Sequence, residues 1–176
     1  MITHPNLSCS ISLHPLEEKY SEVLFNWRND ERIFKWCRQH DLLTEQNHKT
    51  WFIKNQTDPK TKMYLIKTSE YSVPIGVCGF TDIDLINQRA EFSLYIAPAH
   101  HKQGYGRESL QLLLWHGFRA YPFKIIYGES FDNNPAIEMF LKLGFKKEGV
   151  RRDFYFRDGK HIDAHLFSIK KEELII

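Results

Sequence analysis

The segment Tyr95-Ile-Ala-Pro-Ala-His-His-Lys-Gln-Gly-Tyr-Gly-Arg107 constrains the fold of this chain more than any other. The stretch before it, Ala90–Ile96, alternates as a strand does, with Phe92, Leu94 and Ile96 on one side and Glu91, Ser93 and Tyr95 on the other. Pro98 ends that strand. A short polar turn follows, and Gly104 and Gly106 open a run with helical spacing through Leu110, Leu113, Leu114, Gly117 and Phe118. The first N–H groups of such a helix have no partner within it, and the macrodipole adds partial positive charge there. Glycines without Cβ atoms let a ligand approach the backbone closely. The turn is therefore suited to a diphosphate, with His101, Lys102 and Arg107 available to add charge. It is not the dinucleotide fingerprint, because Ser109 stands where the third glycine would be, and it is not a Walker loop, because no Gly-Lys-Ser/Thr occurs. A plain helix cap explains the same glycines, so the residues alone leave both readings open.

The remaining elements read in order along the chain. Cys9–Leu16 alternates as a first strand, and Glu17–Asn29 has helical spacing through Tyr20, Val23, Leu24 and Trp27. Thr44 offers a hydroxyl N-cap to a second helix that carries Trp51 and Phe52, and Asp58-Pro59 breaks it. Met63–Lys67 and Pro74–Phe80 read as strands around a turn at Ser69–Ser72. After the helix from Gly106 come a strand Phe123–Glu129, a helix Pro135–Leu143 stopped by Gly144, and two strands within Phe145–Ile169 turning at Asp158-Gly159. This order predicts one α/β (α+β) domain over residues 1–176, a mixed sheet with helices on both faces.

Composition excludes more than it assigns. A net charge of +2 over 176 residues gives no argument for nucleic acid, and Lys146, Lys147, Arg151 and Arg152 read as a solvated hairpin. No apolar run approaches the roughly 20 residues of a membrane helix, and Met1–Ser10 has no secretory pattern. Cys9, Cys37 and Cys78 form no CxxC pair, which suits a reducing, cytoplasmic setting. His161, Asp163 and His165 share a strand face but find no fourth ligand, so no metal is expected.

Taken together, His101-Lys-Gln-Gly104-Tyr-Gly106, Asn133-Asn-Pro-Ala136-Ile-Glu-Met-Phe140-Leu-Lys-Leu-Gly144-Phe145 and the hairpin with Asp158-Gly159-Lys160 and Asp163 resemble the GNAT superfamily of N-acetyltransferases, in its RimJ/RimL-like branch. The resemblance implies the GNAT fold, whose mostly antiparallel sheet splays between its fourth and fifth strands, with acetyl-CoA as co-substrate in the gap. It further implies that the pantetheine arm pairs with the backbone of Leu94, Tyr95 and Ile96. The pyrophosphate would meet the N–H groups of Gln103, Gly104, Tyr105, Gly106 and Arg107, and Asn133 would lie near the pantetheine. Two positions depart from the family pattern. His101 replaces the usual Arg or Gln, and Phe140 replaces the Tyr that protonates the departing thiolate, leaving Tyr127, Tyr155 or a water as substitutes.

The amine that accepts the acetyl group arrives as an ammonium and needs a base or water chain to remove its proton. Glu91 is the first candidate, at a position where this branch often carries Glu. Glu129 is the second, because it is offset by one residue from where some relatives place a base, which on a strand sends the side chain to the opposite face. Trp27-Arg28-Asn29 with His48 and Trp51 is similar to acetyltransferases acting on nucleotide-linked amino sugars, including those of the pseudaminic acid pathway. On that reading Trp27, Trp36 and Trp51 stack on the acceptor while Arg28, Arg32 or Arg38 pair with its phosphates. Trp27 and Trp51 equally fit core stripes. The leading expectation is a sugar-nucleotide acceptor carrying a 4-amino group. The alternatives are a protein N-terminus, a polyamine, or a CoA-binding module without catalysis. A polyamine calls for an acidic cleft, for which only the segment Glu17–Glu22 gives a hint. A homodimer is left open.

Overall fold

In the computed structural model, which describes residues 1–4, 10–39 and 41–175, the first four strands pair antiparallel in chain order. They are β1 (Ile11–Pro15), β2 (Lys62–Thr68), β3 (Pro74–Asp84) and β4 (Arg89–Ile96). β5 (Ile125–Phe131) joins β4 in parallel, and β6 (Lys146–Arg157) and β7 (Lys160–Ile169) complete the order β1-β2-β3-β4-β5-β7-β6. Cys9, the expected start of the first strand, and Ile176 lie outside the described residues.

Residue parity along the strands builds two cores. Met63, Leu65 and Val77 face helices α1 (Ser21–Asn29) and α3 (Glu45–Thr57), where they bury Leu24 and Phe52. Tyr64, Ile66, Cys78 and Phe80 face the other way, onto α4 (Tyr105–Ala120) and the cluster that holds Phe140. Leu110, Leu112, Leu113, Leu114 and Phe118 of α4 are all buried, each side chain contributing about 1.5–3 kcal/mol on removal from water. Helix and sheet meet without a gap at Gly117, where an added Cβ would lie 2.5 Å from the Phe80 ring.

Local signals hold where capping chemistry decides them. Thr44 accepts from the Asn47 N–H at 3.1 Å and starts α3, and Asp158 and Gly159 both take positive φ in the β6–β7 turn. The expected helix Glu17–Asn29 is instead a 3₁₀ turn, Glu18–Tyr20, followed by α1. A short helix α2 (Glu31–Phe34), absent from the sequence reading, begins because Asp30 leaves helical dihedrals and its carboxylate accepts from the Arg32 N–H. Among the described residues, no helix is long and apolar enough to cross a membrane.

One topological fact sets up the site. β4 and β5 pair only through Arg89–Ile125, Ala90–Ile126 and Glu91–Tyr127. Beyond Glu91 the first strand stays with β3 and the second with β7, so Phe92–Ile96 and Gly128–Phe131 part. The helix α5 (Ala136–Lys142), ended by Gly144 at φ 102°, packs Phe140 against Phe92 beside that opening.

Candidate active site

At the exit of β4, Gly104 sits at φ 87° as the N-cap of α4, and Lys102 before it also has positive φ. An added Cβ on Gly104 would meet nothing within 4 Å, so the backbone here borders open space. The Arg107 and Glu108 N–H groups close onto the Gly104 carbonyl at 3.0 and 3.3 Å. Among the described residues, those of Gln103, Gly104, Tyr105 and Gly106 make no backbone hydrogen bond. A row of unpaired donors at the start of a 16-residue helix fits a diphosphate. His101 behaves differently from a phosphate ligand: its Nε2 bonds the Ile96 carbonyl at 2.7 Å and ties the turn to the strand end. Lys102 and Arg107 are exposed at the rim.

Three cavities run on from this turn. The first, about 600 Å³, is walled by Leu94, Tyr95, Ile96, His101, Lys102, Gly104, Tyr105 and Gly106. It shares Trp36, Leu94, Asn134, Ala136 and Met139 with a second, of about 400 Å³, inside the splay. Phe92 and Phe140 complete the apolar side of that second cavity, which Ser130 also lines, and Arg38, Glu91 and Glu129 join it to a third of about 440 Å³. Asn134 lines the first two cavities and accepts from the Ala136 N–H at 2.9 Å, whereas Asn133 is exposed and lines neither. Phe140 is buried edge-on to Phe92 at 5.2 Å and can offer no proton.

The two candidate bases are brought together. Glu91 stands opposite Tyr127 in the parallel pair, so Glu91, Tyr127 and Glu129 project from one face. Glu129 therefore shares the face of Glu91. Arg38, from the chain after α2, binds both Glu91 oxygens at 2.8 and 2.9 Å and lies 3.5 Å from Glu129. The carboxylate side chains are only 12% and 9% exposed. Thr81 donates to Glu91 at 3.2 Å, Arg151 pairs with Glu129 at 3.1 Å, and the Tyr155 hydroxyl donates to Glu129. Burial acts to lower the Arg38 pKa, but the hydrogen bond to Glu91 and the charges of Glu91 and Glu129 outweigh it and hold the cation. Burial, then the bond to Glu129, pushes the Tyr155 phenol up to about 12. Burial, then the bond to Asp82, likewise raises Tyr127. Neither phenol has a free proton to give.

The third cavity is acidic. Asp82, Glu91, Glu129 and Glu148 line it against two guanidinium groups, Arg38 and Arg151, an excess of two negative charges. Asp82 and Glu148 were not singled out from the sequence. The acids of Glu17–Glu22, which hinted at such a cleft, line none of these three cavities, and Glu17 is paired with Lys19 and Lys67. Among the described residues, no three His, Cys, Asp or Glu side chains converge as metal ligands.

The residues expected to hold the acceptor are dispersed. His48 is 3% exposed, bonded through Nε2 to Ser21 Oγ at 3.1 Å and stacked on Trp51 with ring centroids 5.4 Å apart. Burial lowers its pKa and keeps it neutral. It borders a separate groove between α1 and α3 that shares no lining residue with the three cavities. Trp27 and Trp51 pack on the α1–α3 core. Of the four, only Arg28 reaches the splay, where it donates to Cys37 Sγ and to Gln39 at 3.0 Å. Arg32 forks onto Asp30 at 2.9 and 2.7 Å, and Arg38 onto Glu91. The three guanidinium groups assigned to a sugar nucleotide's phosphates already have protein partners.

Comparison with known proteins agrees with this geometry. The family model for the acetyltransferase (GNAT) domain matches residues 10–146. An uncharacterized N-acetyltransferase of Bacillus licheniformis is 34% identical over 168 residues, 93% of this chain and 94% of that protein. A spermidine N(1)-acetyltransferase of Vibrio cholerae is 22% identical over 159 residues, 90% of this chain and 91% of that protein. The crystal structure of spermidine N-acetyltransferase from Vibrio cholerae in complex with CoA and spermine has the same fold. It aligns with a TM-score of 0.87 at 22% identity, over 93% of this chain and 97% of that one. The chain belongs to the GNAT acetyltransferase family, and it is an acetyltransferase.

Proposed function

We propose that this enzyme transfers the acetyl group of acetyl-CoA to a primary amine of a small polycation, a polyamine of the spermidine type. The observation that carries the acceptor half is the third cavity, where Asp82, Glu91, Glu129 and Glu148 outnumber their guanidinium partners. Arg38 itself marks the affinity of Glu91 and Glu129 for a cation. The spermidine acetyltransferases among the relatives support the same reading. A sugar nucleotide would bring diphosphate charge to a cavity that repels it.

When bound, acetyl-CoA supplies an activated acetyl thioester, and its acyl end would reach the splay from the turn. Gln103–Gly106 N–H groups hold its diphosphate, and Leu94–Ile96 present backbone to its amide-bearing arm. On the other side, carboxylates from four different strands draw in and orient the ammonium groups, which supplies much of the rate by alignment alone. Glu91, with Glu129 beside it, receives the proton that an ammonium must lose before it can attack.

Steady-state thiol release from acetyl-CoA against spermidine, shorter diamines, amino-sugar nucleotides and N-terminal peptides tests this. The expected result is a kcat/KM highest for the polyamines and falling as salt is raised. Turnover confined to sugar nucleotides would overturn the acceptor assignment, and CoA binding without turnover on any amine would overturn catalysis.

A further inference from the structure

Phe140 leaves the departing sulfur without its usual donor, and the two tyrosines nearby are already committed to Asp82 and Glu129. One hydroxyl beside Phe140 is uncommitted. Ser130, on β5, is 7% exposed, and its Oγ is buried without a hydrogen-bond partner. Most buried polar groups are paired, so a solitary hydroxyl marks a place where something else supplies the partner.

Its position is specific. An added Cβ on Gly128 would strike the Phe92 ring at 2.5 Å, so Gly128 and Ser130, two residues on, share the face that meets Phe92 and Phe140. Ser130 and Phe140 line the same second cavity. That cavity stands between the diphosphate turn and the acidic pocket, and on the proposed reading the thioester must react there. The register sets His165 opposite Ser130 on β7, yet no bond joins them.

The geometry points to Ser130 as the hydrogen-bond donor to the thioester sulfur, taking the place of the hydroxyl that Phe140 lacks; this rests on the acetyl-CoA reading. As the N–C bond forms, the C–S bond breaks and its electron pair goes to sulfur. Ser130 Oγ–H is donated to that sulfur without being transferred, since an alcohol holds its proton far more tightly than a thiol. The proton released by nitrogen reaches the thiolate through solvent. Ser130 thus stabilises charge where it develops, with a preorganised donor.

The experiment compares CoA with desulfo-CoA, which lacks only the sulfur function, by calorimetric titration of wild type, Ser130→Ala and Ser130→Ala/Phe140→Tyr. Wild type should bind CoA more tightly than desulfo-CoA. Ser130→Ala should lose that preference while binding desulfo-CoA as wild type does, and its kcat should fall about 10- to 100-fold, as for a hydrogen bond to a charged group. Its melting temperature should not drop, because no protein partner is lost. The double variant should recover part of the turnover. A preference for CoA unchanged in Ser130→Ala, or absent in wild type, would overturn the assignment; so would a fall in melting temperature accompanied by an unchanged preference. Wild type that binds neither ligand would instead remove the acetyl-CoA reading itself.

Discussion

Gly104 allows strain and ligand repulsion to be separated by experiment. Its φ of 87° penalises any side chain by about 1–2 kcal/mol, and Gly159, at φ 76° in the β6–β7 turn, carries the same penalty and lines none of the three cavities. Neither position has an atom within 4 Å of an added Cβ, so packing clashes are equal at zero. Alanine at either site should therefore lower the melting temperature alike, by about 2–4 °C per kcal/mol for a chain of this size. Aspartate at Gly104 adds a carboxylate facing the diphosphate. At roughly 4 Å the repulsion is about 1 kcal/mol per charge pair in bulk water and about 4 kcal/mol at an effective dielectric of 20. The turn is exposed, so about 2 kcal/mol, or roughly thirtyfold in Kd, is the working figure. Calorimetric titration of CoA into Gly104→Asp and Gly159→Asp measures the difference, which should shrink with added salt. Affinities within twofold of each other would show that the diphosphate does not sit on this turn.

Asp82→Asn and Glu148→Gln should each raise KM for a polyamine severalfold at low salt with little change in kcat; an unchanged KM would mean that the amine does not enter the third cavity. Glu91→Gln should instead reduce kcat and flatten its rise with pH, and a wild-type profile would remove Glu91 as base. Burial lowers the pKa of His48 and of His116 below the usual 6.5, so the unfolded chain binds their protons more readily. Stability from these groups is present above that value and lost as the pH falls below it, and thermal melts of His48→Gln should show a smaller loss on acidification. At Gly144 an added Cβ would lie 1.9 Å from the Glu173 carbonyl, on top of the strain of φ 102°. Gly144→Ala should cost several kcal/mol, and a chemical-denaturation midpoint equal to wild type would contradict the packing of the C-terminal segment there.

The turn proposed to hold the donor was legible as a strand–turn–helix unit because one continuous segment builds it. A strand end, a proline, two glycines and an apolar helix stripe are local signals, and each follows from backbone chemistry that neighbours do not override. The acidic cavity proposed for the acceptor is assembled from β3, β4, β5 and β6, one carboxylate each, and Asp82 and Glu148 at its extremes are 66 positions apart in the sequence. Counting strand parity outward from a correct β4–β5 register would have placed Glu129 with Glu91. That register rests on three residue pairs whose partners are more than thirty positions apart. The pairing of Arg38 with Glu91 and Glu129 was beyond reach for another reason: Arg38 lies in an irregular stretch whose path is fixed by long-range bonds, including those from Arg157 to the Cys37 and Arg38 carbonyls. Trp27 and Trp51 kept two readings open because large rings at helical spacing serve a core as readily as a ligand, and here they pack with His48 between α1 and α3.

The brevity of the β4–β5 pairing has a consequence for dynamics. With only three residue pairs joining β4 to β5 in the sheet, the amides of Phe92–Ile96 on the side away from β3 have no strand beside them among the described residues. A donor arm that runs along this edge finishes the sheet as a surrogate strand would. Amide hydrogen exchange should then slow along Leu94–Ile96 when CoA is added, and the slowing should extend to Gly128–Phe131 as the two halves lose freedom to twist against each other.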